Sequence, residues 1–509
     1  MYATLYEYAL LLREVGLLVM ERFKEAEEKQ ISCLTYNSKE VIPGTLFICK
    51  GAAFKKEYLQ DAASRGAVAY VSQELYPEVD LPVLLVSDIR RAMPAMAVFF
   101  FGNPAQHFRL TGITGTKGKS TTAYYLKAIL DDYLAAEPEK CMAHVKKQPK
   151  DIPTETGVIS SIDTFDGKEF YESHITTPES VELFSHFKNA ADAGLPYVTM
   201  EVSSQALKYD RVDKVIFNVG IFMNISEDHI SPQEHSSFED YFRSKLCIFR
   251  QTENALICTD ADRYDDIAAA ATEAGSVLTF GTKEGSDIYG YNIRKEGSTI
   301  RFSVKCDRFD QEFALTMPGL FNVQNALAAI AAAYVYEIPL KYMLSGLYRA
   351  RSKGRMECYT SADGRITAIV DYAHNRLSFE KLFESTKEEY PGHDIFTVFG
   401  CPGKKALIRR KDLGTIAGRE SKKVYLTAED PGEEPVEDIS KDIAQYVVCP
   451  YEMIEDRGEA IAKAVADAEG PTVILITGKG EETRQKYGRE YIDCPSDAEY
   501  VQRIFAGMN

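Results

Sequence analysis

The sequence lacks a long uninterrupted apolar run, a C-x-x-C pair, an internal repeat and a low-complexity tract. The apolar stretch Ala92–Phe101 is too short to cross a bilayer and contains Pro94, so we expect no targeting or membrane-spanning segment. The 10 scattered cysteines do not indicate a zinc or redox centre. In a chain of 509 residues they are typical of reduced thiols in the cytoplasm.

Positive charge is also scarce, since 59 basic residues face 76 acidic ones and the formal net charge is −17. A polyanion repels an acidic body, which argues against a nucleic acid or a membrane surface as partner. A small anionic ligand needs only local positive charge. The apolar fraction of 45% and the charged fraction of 27% are typical of globular proteins. We expect a monomer without nucleic-acid or membrane partners.

Two changes in the sequence pattern divide the chain into three α/β domains, 1–108, 109–345 and 346–509. In the central domain, apolar strand-like runs alternate with helical patterns, which favours β-α-β units and a mostly parallel sheet. The same alternation of strand-like and helical patterns begins again in the third domain and predicts a smaller, doubly wound, Rossmann-like fold.

Two local segments carry further predictions. Apolar residues at helical spacing from Leu5 to Phe23 predict one amphipathic helix. The polar, aperiodic segment Asp131–Thr156 contains three prolines and predicts a surface loop.

The strongest motif is the glycine-rich segment Gly112–Thr121, GITGTKGKST. A strand-like run precedes it and a helical pattern follows, which is the context that a phosphate-binding loop requires. Lys119 can reach the β- and γ-phosphates of a nucleotide, and the Ser120 hydroxyl can bind Mg²⁺. Gly112 stands one residue earlier than in the usual spacing, so a turn that binds nothing is the alternative.

Chemically active side chains follow the next strand-like runs. Glu201 ends one run and His229 follows another, so both can reach the carboxyl edge of a parallel sheet, where Mg²⁺ is commonly held. Lys245 lies soon afterwards on a helical stretch. The ordinary interpretations are a capping histidine and a solvated lysine, and Mg²⁺ prefers oxygen ligands to a histidine.

These motifs and their order resemble the Mur ligase family, and within it the MurE type, over nearly the whole chain. The resemblance implies a small UDP-binding first domain, a central ATP-binding domain and a C-terminal amino-acid-binding domain. The segments that carry it are Asn37–Gly44, Thr114–Ser120, Thr176–Ser180, Glu201–Ser204 with Arg211, Gly319–Asn325, Gly354–Glu357, Asp371–Asn375 and Gly478–Glu482.

The resemblance also implies individual roles. Residues implied in ATP binding are Gly115, Thr116, Lys117, Gly118, Lys119, Ser120, Thr121, Asn322, Asn325, Arg355, Asp371 and His374. Residues implied in binding a UDP-N-acetylmuramoyl dipeptide and a free amino acid are Ser38, Thr176, Thr177, Ser203, Ser204, Arg211, Glu429, Asp430, Gly478 and Glu482. The implied ligands of two Mg²⁺ ions are Ser120, Glu201, His229 and Lys245, the last as a carbamate (N6-carboxylysine) formed with CO₂. The implied catalytic residues are Lys119, His229, Lys245 and Arg355.

The implied reaction is an ATP-dependent amide ligation in peptidoglycan precursor synthesis. The γ-phosphoryl group of ATP passes to a carboxylate, and the amine of the amino acid attacks the resulting acyl phosphate. ATP and the carboxylate are both anions, so Lys119 and the Mg²⁺ ions are needed to bridge them. His374 is either a base for the amine or a contact to the nucleotide.

The third domain favours L-lysine as the added amino acid. Members that add meso-diaminopimelate carry an arginine in an Asp-Asn-Pro-Arg motif, which holds a carboxylate bidentately. Gly432 replaces that arginine here, and Glu429 and Asp430 suit an ammonium group instead. Ornithine and meso-diaminopimelate are the alternatives, and a solvated acidic turn is the ordinary interpretation of this run.

Two other functions stay open. A folylpolyglutamate synthase shares the phosphate loop and the lysine carbamate, but it lacks the uridine-type first domain that Asn37-Ser38-Lys39 indicates. The presence of five residues argues against a non-catalytic nucleotide-binding protein derived from a ligase: Lys119, Glu201, His229, Lys245 and Arg355. Hydrolysis of ATP that depends on a UDP-muramoyl dipeptide separates these functions.

Overall fold

The computed structural model describes residues 3–22, 29–51, 54–145, 149, 151–173, 175–227, 230, 234–297, 299–351, 354, 356–404, 407–488 and 490–508, without the side chains of residues 172 and 377. The chain forms two compact units. The first comprises Met1–Gly290, Val304–Asp310 and Gln324–Gly346, and the second comprises Tyr291–Ser303, Gln311–Val323 and Leu347–Asn509. The first unit includes the whole predicted first domain and most of the central one, so the three domain boundaries stay a prediction.

The first unit begins with a small α/β region. Its strands are β1 Leu18–Arg22, β2 Cys33–Thr35, β3 Thr45–Ile48, β4 Ala67–Ser72 and β5 Val83–Val86, and its helices are α1 Leu5–Glu14, α2 Lys56–Ser64 and α3 Ile89–Phe101. The strand order is β1-β5-β4-β3-β2, with β1 antiparallel to β5 and the other pairs parallel. Phe47, Leu59 and Tyr70 are buried in the core of this region.

The predicted N-terminal helix is wrong beyond Glu14. Gly16 adopts a left-handed φ of +70° just after the helix, which is the usual way for a helix to end at a glycine. The chain then forms β1, whose Val19 is exposed. The apolar stretch Ala92–Phe101 belongs to α3. Among the described residues, no helix combines the length and the apolar character that a membrane crossing needs.

A larger sheet follows. Its strands are β6 Arg109–Thr114, β7 Gly157–Ile159, β8 Asp163–Phe165, β9 Phe170–Glu172, β10 Tyr197–Glu201, β11 Phe217–Phe222, β12 Thr252–Cys258, β13 Ser276–Gly281, β14 Ile288–Glu296, β15 Thr299–Lys305 and β16 Asp310–Leu315. The strand order is β16-β15-β14-β13-β12-β11-β6-β10-β7-β8-β9, and the pairs from β14 to β7 are parallel. The helices between and after these strands are α4 Lys119–Ala136, α5 Pro138–Cys141, α6 Ser180–Ala193, α7 Ser204–Lys208, α8 Phe238–Leu246, α9 Tyr264–Ala271, α10 Asn322–Val335 and α11 Leu340–Arg349. The prediction of a mostly parallel central sheet is confirmed.

The predicted surface loop Asp131–Thr156 is wrong for residues 131–144, whereas residues 149 and 151–156 form no helix or strand. Helix α4 continues to Ala136, and a further short helix begins at Pro138. Cys141 and Met142 are buried, and the Asp131 carboxylate accepts hydrogen bonds from the backbone N–H and hydroxyl of Thr156. Proline is tolerated in the first turn of a helix, so the prolines do not exclude helices here.

The second unit contains the predicted doubly wound sheet. Its strands are β17 Glu357–Thr360, β18 Ile366–Asp371, β19 Asp394–Phe399, β20 Lys423–Leu426, β21 Tyr451–Met453 and β22 Thr472–Thr477, with a separate hairpin of β23 Arg484–Tyr487 and β24 Glu490–Asp493. The order is β17-β18-β22-β19-β20-β21, and β17 alone among the described strands of this sheet pairs antiparallel. Helices α12 Arg376–Glu389, α13 Ile408–Glu420 and α14 Val436–Ala444 contribute to one core, and α15 Arg457–Ala466 and α16 Asp497–Gly507 to another. The helices therefore cover both faces, as predicted.

Candidate active site

The predicted phosphate loop joins β6 to α4. β6 ends at Thr114 and α4 begins at Lys119. Gly115 and Gly118 have φ of +151° and +84°, which only glycine adopts readily. A Cβ on Gly118 would lie 2.2 Å from Oδ1 of Asn325, so this asparagine packs directly on the loop. The first N–H groups and the positive dipole end of an 18-residue helix face the loop region, an arrangement that favours phosphate.

Gly112 has a different role from the loop glycines. It lies inside β6, and a Cβ there would come within 2.6 Å of the ring of Phe217 on the neighbouring strand β11. The early glycine therefore accommodates an aromatic ring in the core. The loop itself depends on Gly115 and Gly118.

Asn224, which was not predicted as a site residue, holds the phosphate loop. Its side-chain oxygen accepts the backbone N–H groups of Thr116 and Lys117 at 3.1 and 2.9 Å, and its amide donates to the oxygen of Lys117 at 3.1 Å. It lies two residues after the end of β11 and thus at the carboxyl edge of the sheet. A polar residue just after a buried strand next to β6 is the signal that could have identified it.

Two lysines approach the same part of the loop. Lys119 Nζ donates to the backbone oxygens of Gly115 and Thr116 at 3.0 and 3.3 Å. Lys245 Nζ donates to the oxygen of Gly115 at 2.9 Å and lies 4.7 Å from the centre of the Tyr241 ring. Lys245 is only 2% exposed, so the solvated-lysine interpretation is wrong.

Oxygen atoms of three side chains lie close together, those of Ser120, Ser161 and Glu201. The Ser120 and Ser161 hydroxyl oxygens lie 3.1 Å apart. Ser161 donates to Oε1 of the buried Glu201 from its backbone N–H at 2.9 Å and from its hydroxyl at 3.2 Å. A carboxylate and hydroxyls are hard oxygen donors that suit Mg²⁺. Sequence reasoning missed Ser161, although it is a polar residue just beyond the buried strand β7.

The remaining predicted metal ligand, His229, lies outside the described residues, as does Arg355. No group of three histidine, cysteine, aspartate or glutamate side chains that could hold a metal occurs among the residues that the structure does describe.

The segment predicted to hold a dipeptide packs against the same sheet edge. The buried Thr177 hydroxyl donates to the backbone oxygen of Glu201 at 2.9 Å and accepts the N–H of Ser203 at 3.0 Å. Ser204, next along the chain, bonds through its hydroxyl to Nε2 of the buried His235 at 2.9 Å. Thr176, which directly precedes this contact, is half-buried.

A cationic cavity lies beside this segment. Arg211 donates to the oxygen of Thr177, and its Nε lies 2.9 Å from Glu179, which also pairs with Lys50 at 2.6 Å. The cavity has a volume of about 190 Å³, and its lining includes Lys50, Arg90, Glu179, Tyr209 and Arg211. Ser38, predicted to bind the uridine nucleotide, lies on a short 3₁₀ helix that the Asn37 side chain caps.

In the second unit, Asp371 holds backbone of two segments. Its carboxylate accepts the N–H groups of Met356 and Ala373 at 2.9 and 2.8 Å. His374 Nδ1 donates to the oxygen of Tyr372 at 2.7 Å. The Asn322 amide donates to the oxygen of Pro318 at 2.5 Å.

The predicted amino-acid residues gather at the carboxyl edge of the C-terminal sheet. Glu429 is 8% exposed, and a Cβ on Gly478 would lie 2.3 Å from its Oε2. Burial raises the pKa of Glu429 to about 8, although Arg457 opposes the shift. Asp430 and Glu482 differ from Glu429 because both pair with the buried Lys479, at 3.1 and 2.5 Å.

Arg457 supports the carboxyl edge of the C-terminal sheet through hydrogen bonds. Its guanidinium pairs bidentately with Asp497 at 2.6 and 2.7 Å, and it donates to the backbone oxygens of Ala428 and Thr477. These two oxygens directly precede Glu429 and Gly478. Arg457 was not predicted, and its long-range contacts leave no local signal in the sequence.

Profiles of two domains match the chain. The Mur ligase middle domain matches residues 113–333, and the Mur ligase glutamate ligase domain matches residues 354–480. Over 456 residues the chain is 36% identical to the UDP-N-acetylmuramoyl-L-alanyl-D-glutamate–L-lysine ligase of Streptococcus pyogenes serotype M28. The alignment covers 89% of this chain and 88% of that protein.

Solved structures show the same fold. A UDP-N-acetylmuramoyl-L-alanyl-D-glutamate–2,6-diaminopimelate ligase superposes with a TM-score of 0.65 and 20% identity, covering 100% of this chain and 99% of that one. A folylpolyglutamate synthase from Thermotoga maritima superposes with a TM-score of 0.55 and 19% identity, covering 76% and 89%.

Proposed function

The chain belongs to the Mur ligase family, and we propose that it joins L-lysine to the D-glutamate carboxylate of UDP-N-acetylmuramoyl-L-alanyl-D-glutamate at the expense of ATP. Members of this family are ATP-dependent ligases of peptidoglycan precursor synthesis, and they generally use ATP and Mg²⁺. The observation that carries the choice of substrates is the similarity to an L-lysine ligase over most of both chains.

The reaction needs a carboxylate to become an electrophile. Its oxygen attacks the γ-phosphorus of ATP, the bond to ADP breaks, and an acyl phosphate forms. The neutral amine of lysine then attacks the acyl carbon, loses a proton, and phosphate leaves with the C–O bond electrons. The chain's own contribution is to place these groups and to offset their negative charge.

The phosphate loop supplies the first part of this contribution. Gly115 and Gly118 let the backbone turn, Asn224 fixes the N–H groups of Thr116 and Lys117, and α4 directs its dipole at the loop. The amine of Lys119 lies at the loop and offers a positive charge for the β- and γ-phosphates.

The oxygen cluster of Ser120, Ser161 and Glu201 fits Mg²⁺. Ser120 and Glu201 would hold the ion, and Ser161 fixes Oε1 of Glu201 through two donated hydrogen bonds. When bound, Mg²⁺ offsets the repulsion between ATP and the attacking carboxylate. His229 is the further ligand that the family resemblance implies.

Lys245 carries the second metal ligand in this proposal. Its neutral amine adds to CO₂, a C–N bond forms, and a proton leaves, so that the side chain ends in a carbamate anion. The side chain is buried near the amine of Lys119, so a negatively charged carbamate there would attract Lys119. The carbamate then supplies the hard oxygen donor that a bare lysine lacks.

Glu429 is the acidic side chain best placed to take the far ammonium of lysine, and a bound ammonium would lower its raised pKa and favour the carboxylate. Asp430 and Glu482 already pair with Lys479, whereas among the described residues Glu429 has no hydrogen bond or ion pair. Gly432 offers no guanidinium for a second carboxylate, which favours lysine or ornithine over meso-diaminopimelate.

Release of phosphate from ATP tests this proposal. The wild-type protein is mixed with ATP, Mg²⁺ and UDP-N-acetylmuramoyl-L-alanyl-D-glutamate, and then with lysine, ornithine or meso-diaminopimelate in turn. We expect turnover that needs the dipeptide and is fastest with lysine. Faster turnover with meso-diaminopimelate overturns the choice of amino acid, and turnover with a folate but not with the muramoyl dipeptide overturns the choice of reaction.

A further inference from the structure

A buried histidine clamps the two flanks of the segment that contains Thr176 and Thr177. His186 lies on α6, after this segment, and is 7% exposed. Its Nε2 lies 2.6 Å from the hydroxyl oxygen of Tyr171 on β9, before the segment, and its Nδ1 lies 2.8 Å from Oδ2 of Asp166. The ring therefore links both ends of the segment directly.

Asp166 anchors this clamp to the turn between β8 and β9. Its Oδ1 accepts the backbone N–H groups of Lys168 and Glu169 at 3.0 and 2.8 Å, and its Oδ2 also accepts the amide of Asn189 on α6 at 2.8 Å. Asp166 is 1% exposed. The hairpin and the helix are thus held by one buried, fully hydrogen-bonded group of side chains.

Electrostatic interactions favour the protonated, positively charged form of His186. Burial opposes a charge on His186, but hydrogen bonds and attraction from Asp166 and Glu182 outweigh it and raise the pKa to about 9. An imidazolium donates from both nitrogens, which matches an acceptor on each side.

We propose that His186 is a positioning residue for residues 175–179, which include most of the segment Thr176–Ser180 that the family resemblance implies in binding the muramoyl dipeptide. This inference rests on the proposed function only for the identity of the ligand. Fixing both flanks reduces the conformational freedom of the segment before substrate arrives, so less ordering remains for binding. Thr177 transmits the effect, because it contacts both Glu201 and Ser203.

The test compares Tyr171→Phe and His186→Asn with Lys168→Ala. Lys168 forms an exposed ion pair with Asp192 between the same turn and helix, so its loss removes a link without touching the clamp. From the usual strength of one buried hydrogen bond, we expect Tyr171→Phe to raise the KM for the dipeptide about threefold to tenfold. The KM for ATP and kcat should stay within about twofold, as should all constants of Lys168→Ala.

Amide hydrogen exchange provides a readout that does not depend on the reaction. Residues 175–179 should exchange faster in Tyr171→Phe than in the wild type or in Lys168→Ala. An unchanged exchange rate and dipeptide KM, or an equal change in Lys168→Ala, overturns the proposal. If the wild type releases no phosphate with the dipeptide, the proposed function fails, and the exchange measurement still decides the clamp. Tyr171→Phe keeps the test valid if His186→Asn does not fold.

Discussion

The amine nitrogens of Lys119 and Lys245 approach the same backbone oxygen, that of Gly115, at 3.0 and 2.9 Å. Two ammonium groups at one carbonyl are also close to each other and repel each other. Converting Lys245 to a carbamate replaces this repulsion with attraction to Lys119. This change of charge would favour the carbamate that we propose at Lys245.

Modification of Lys245 can be measured directly. We expect the native mass of the protein to exceed the sequence mass by one CO₂, and removal of CO₂ and bicarbonate to lower activity reversibly. Lys245→Arg keeps the positive charge but cannot form a carbamate, so we expect a loss of about a hundredfold or more in kcat. An unmodified, fully active enzyme, or an active Lys245→Arg variant, contradicts the carbamate.

Substitution of Asn224 should weaken nucleotide binding without changing how the amino-acid substrate binds or reacts. Asn224→Ala removes the acceptor of two loop N–H groups, and we expect a rise of about tenfold in the KM for ATP. Asn224→Asp keeps an acceptor and should fall between. Asn218→Ala removes a contact at the other end of β11, to the N–H of Leu110, and serves as the control. An equal effect at Asn218 would show a general loss of sheet stability instead.

Glu429 predicts a dependence of stability on pH. Its folded-state pKa of about 8 lies above the ordinary value of 4.5, so the folded protein keeps a proton that the unfolded chain loses. Stability therefore falls as pH rises from about 4.5 to about 8, by an amount on the order of 5 kcal/mol. We expect Glu429→Gln to raise the free energy of unfolding over the wild type at pH 9 and to leave it nearly unchanged at pH 4.5.

Glu434 is the matched control for this measurement. It lies in the same loop, but Arg410 pairs with it and lowers its pKa. Glu434→Gln should therefore destabilise the protein at neutral pH, the opposite sign. Denaturant unfolding of both variants at both pH values measures these changes. A lower free energy of unfolding in Glu429→Gln than in the wild type at pH 9 would contradict the raised pKa of Glu429.

Gly112 predicts a packing defect. In Gly112→Ala, a Cβ meets the ring of Phe217 at 2.6 Å, and we expect a loss of about 1–3 kcal/mol in the free energy of unfolding. Adding Phe217→Leu should recover part of this loss, because it removes the ring that clashes. If Gly112→Ala is as stable as the wild type, Gly112 is not a packing position.

Local patterns were enough to predict the strand, glycine-rich loop and helix on which the candidate site is built. The loop of Gly115 to Ser120 lies between an apolar strand and a helix, and each of these elements has its own periodicity. The buried strands of the C-terminal sheet are equally visible, since β22 contains the unbroken apolar run 473–476 and all its residues are buried.

Features that depend on distant contacts were missed. The sequence cannot show that Lys245 is buried, because its helix has ordinary charged neighbours and the loop that covers it is far away in the chain. Ser161 and Arg457 act through residues on other elements, so their roles appear only when the sheets are assembled. The helix that continues to Ala136 was missed because nearby prolines outweighed its apolar residues.

The position of β6 in its sheet constrains how a newly made chain can acquire its phosphate loop. β6 lies between β10 and β11, and both follow it in the sequence. During synthesis, β6 therefore leaves the ribosome before either of its partners exists, and the loop has no support until Asn224 has emerged. A nascent chain that ends before Asn224 therefore lacks the side chain that holds the backbone N–H groups of Thr116 and Lys117.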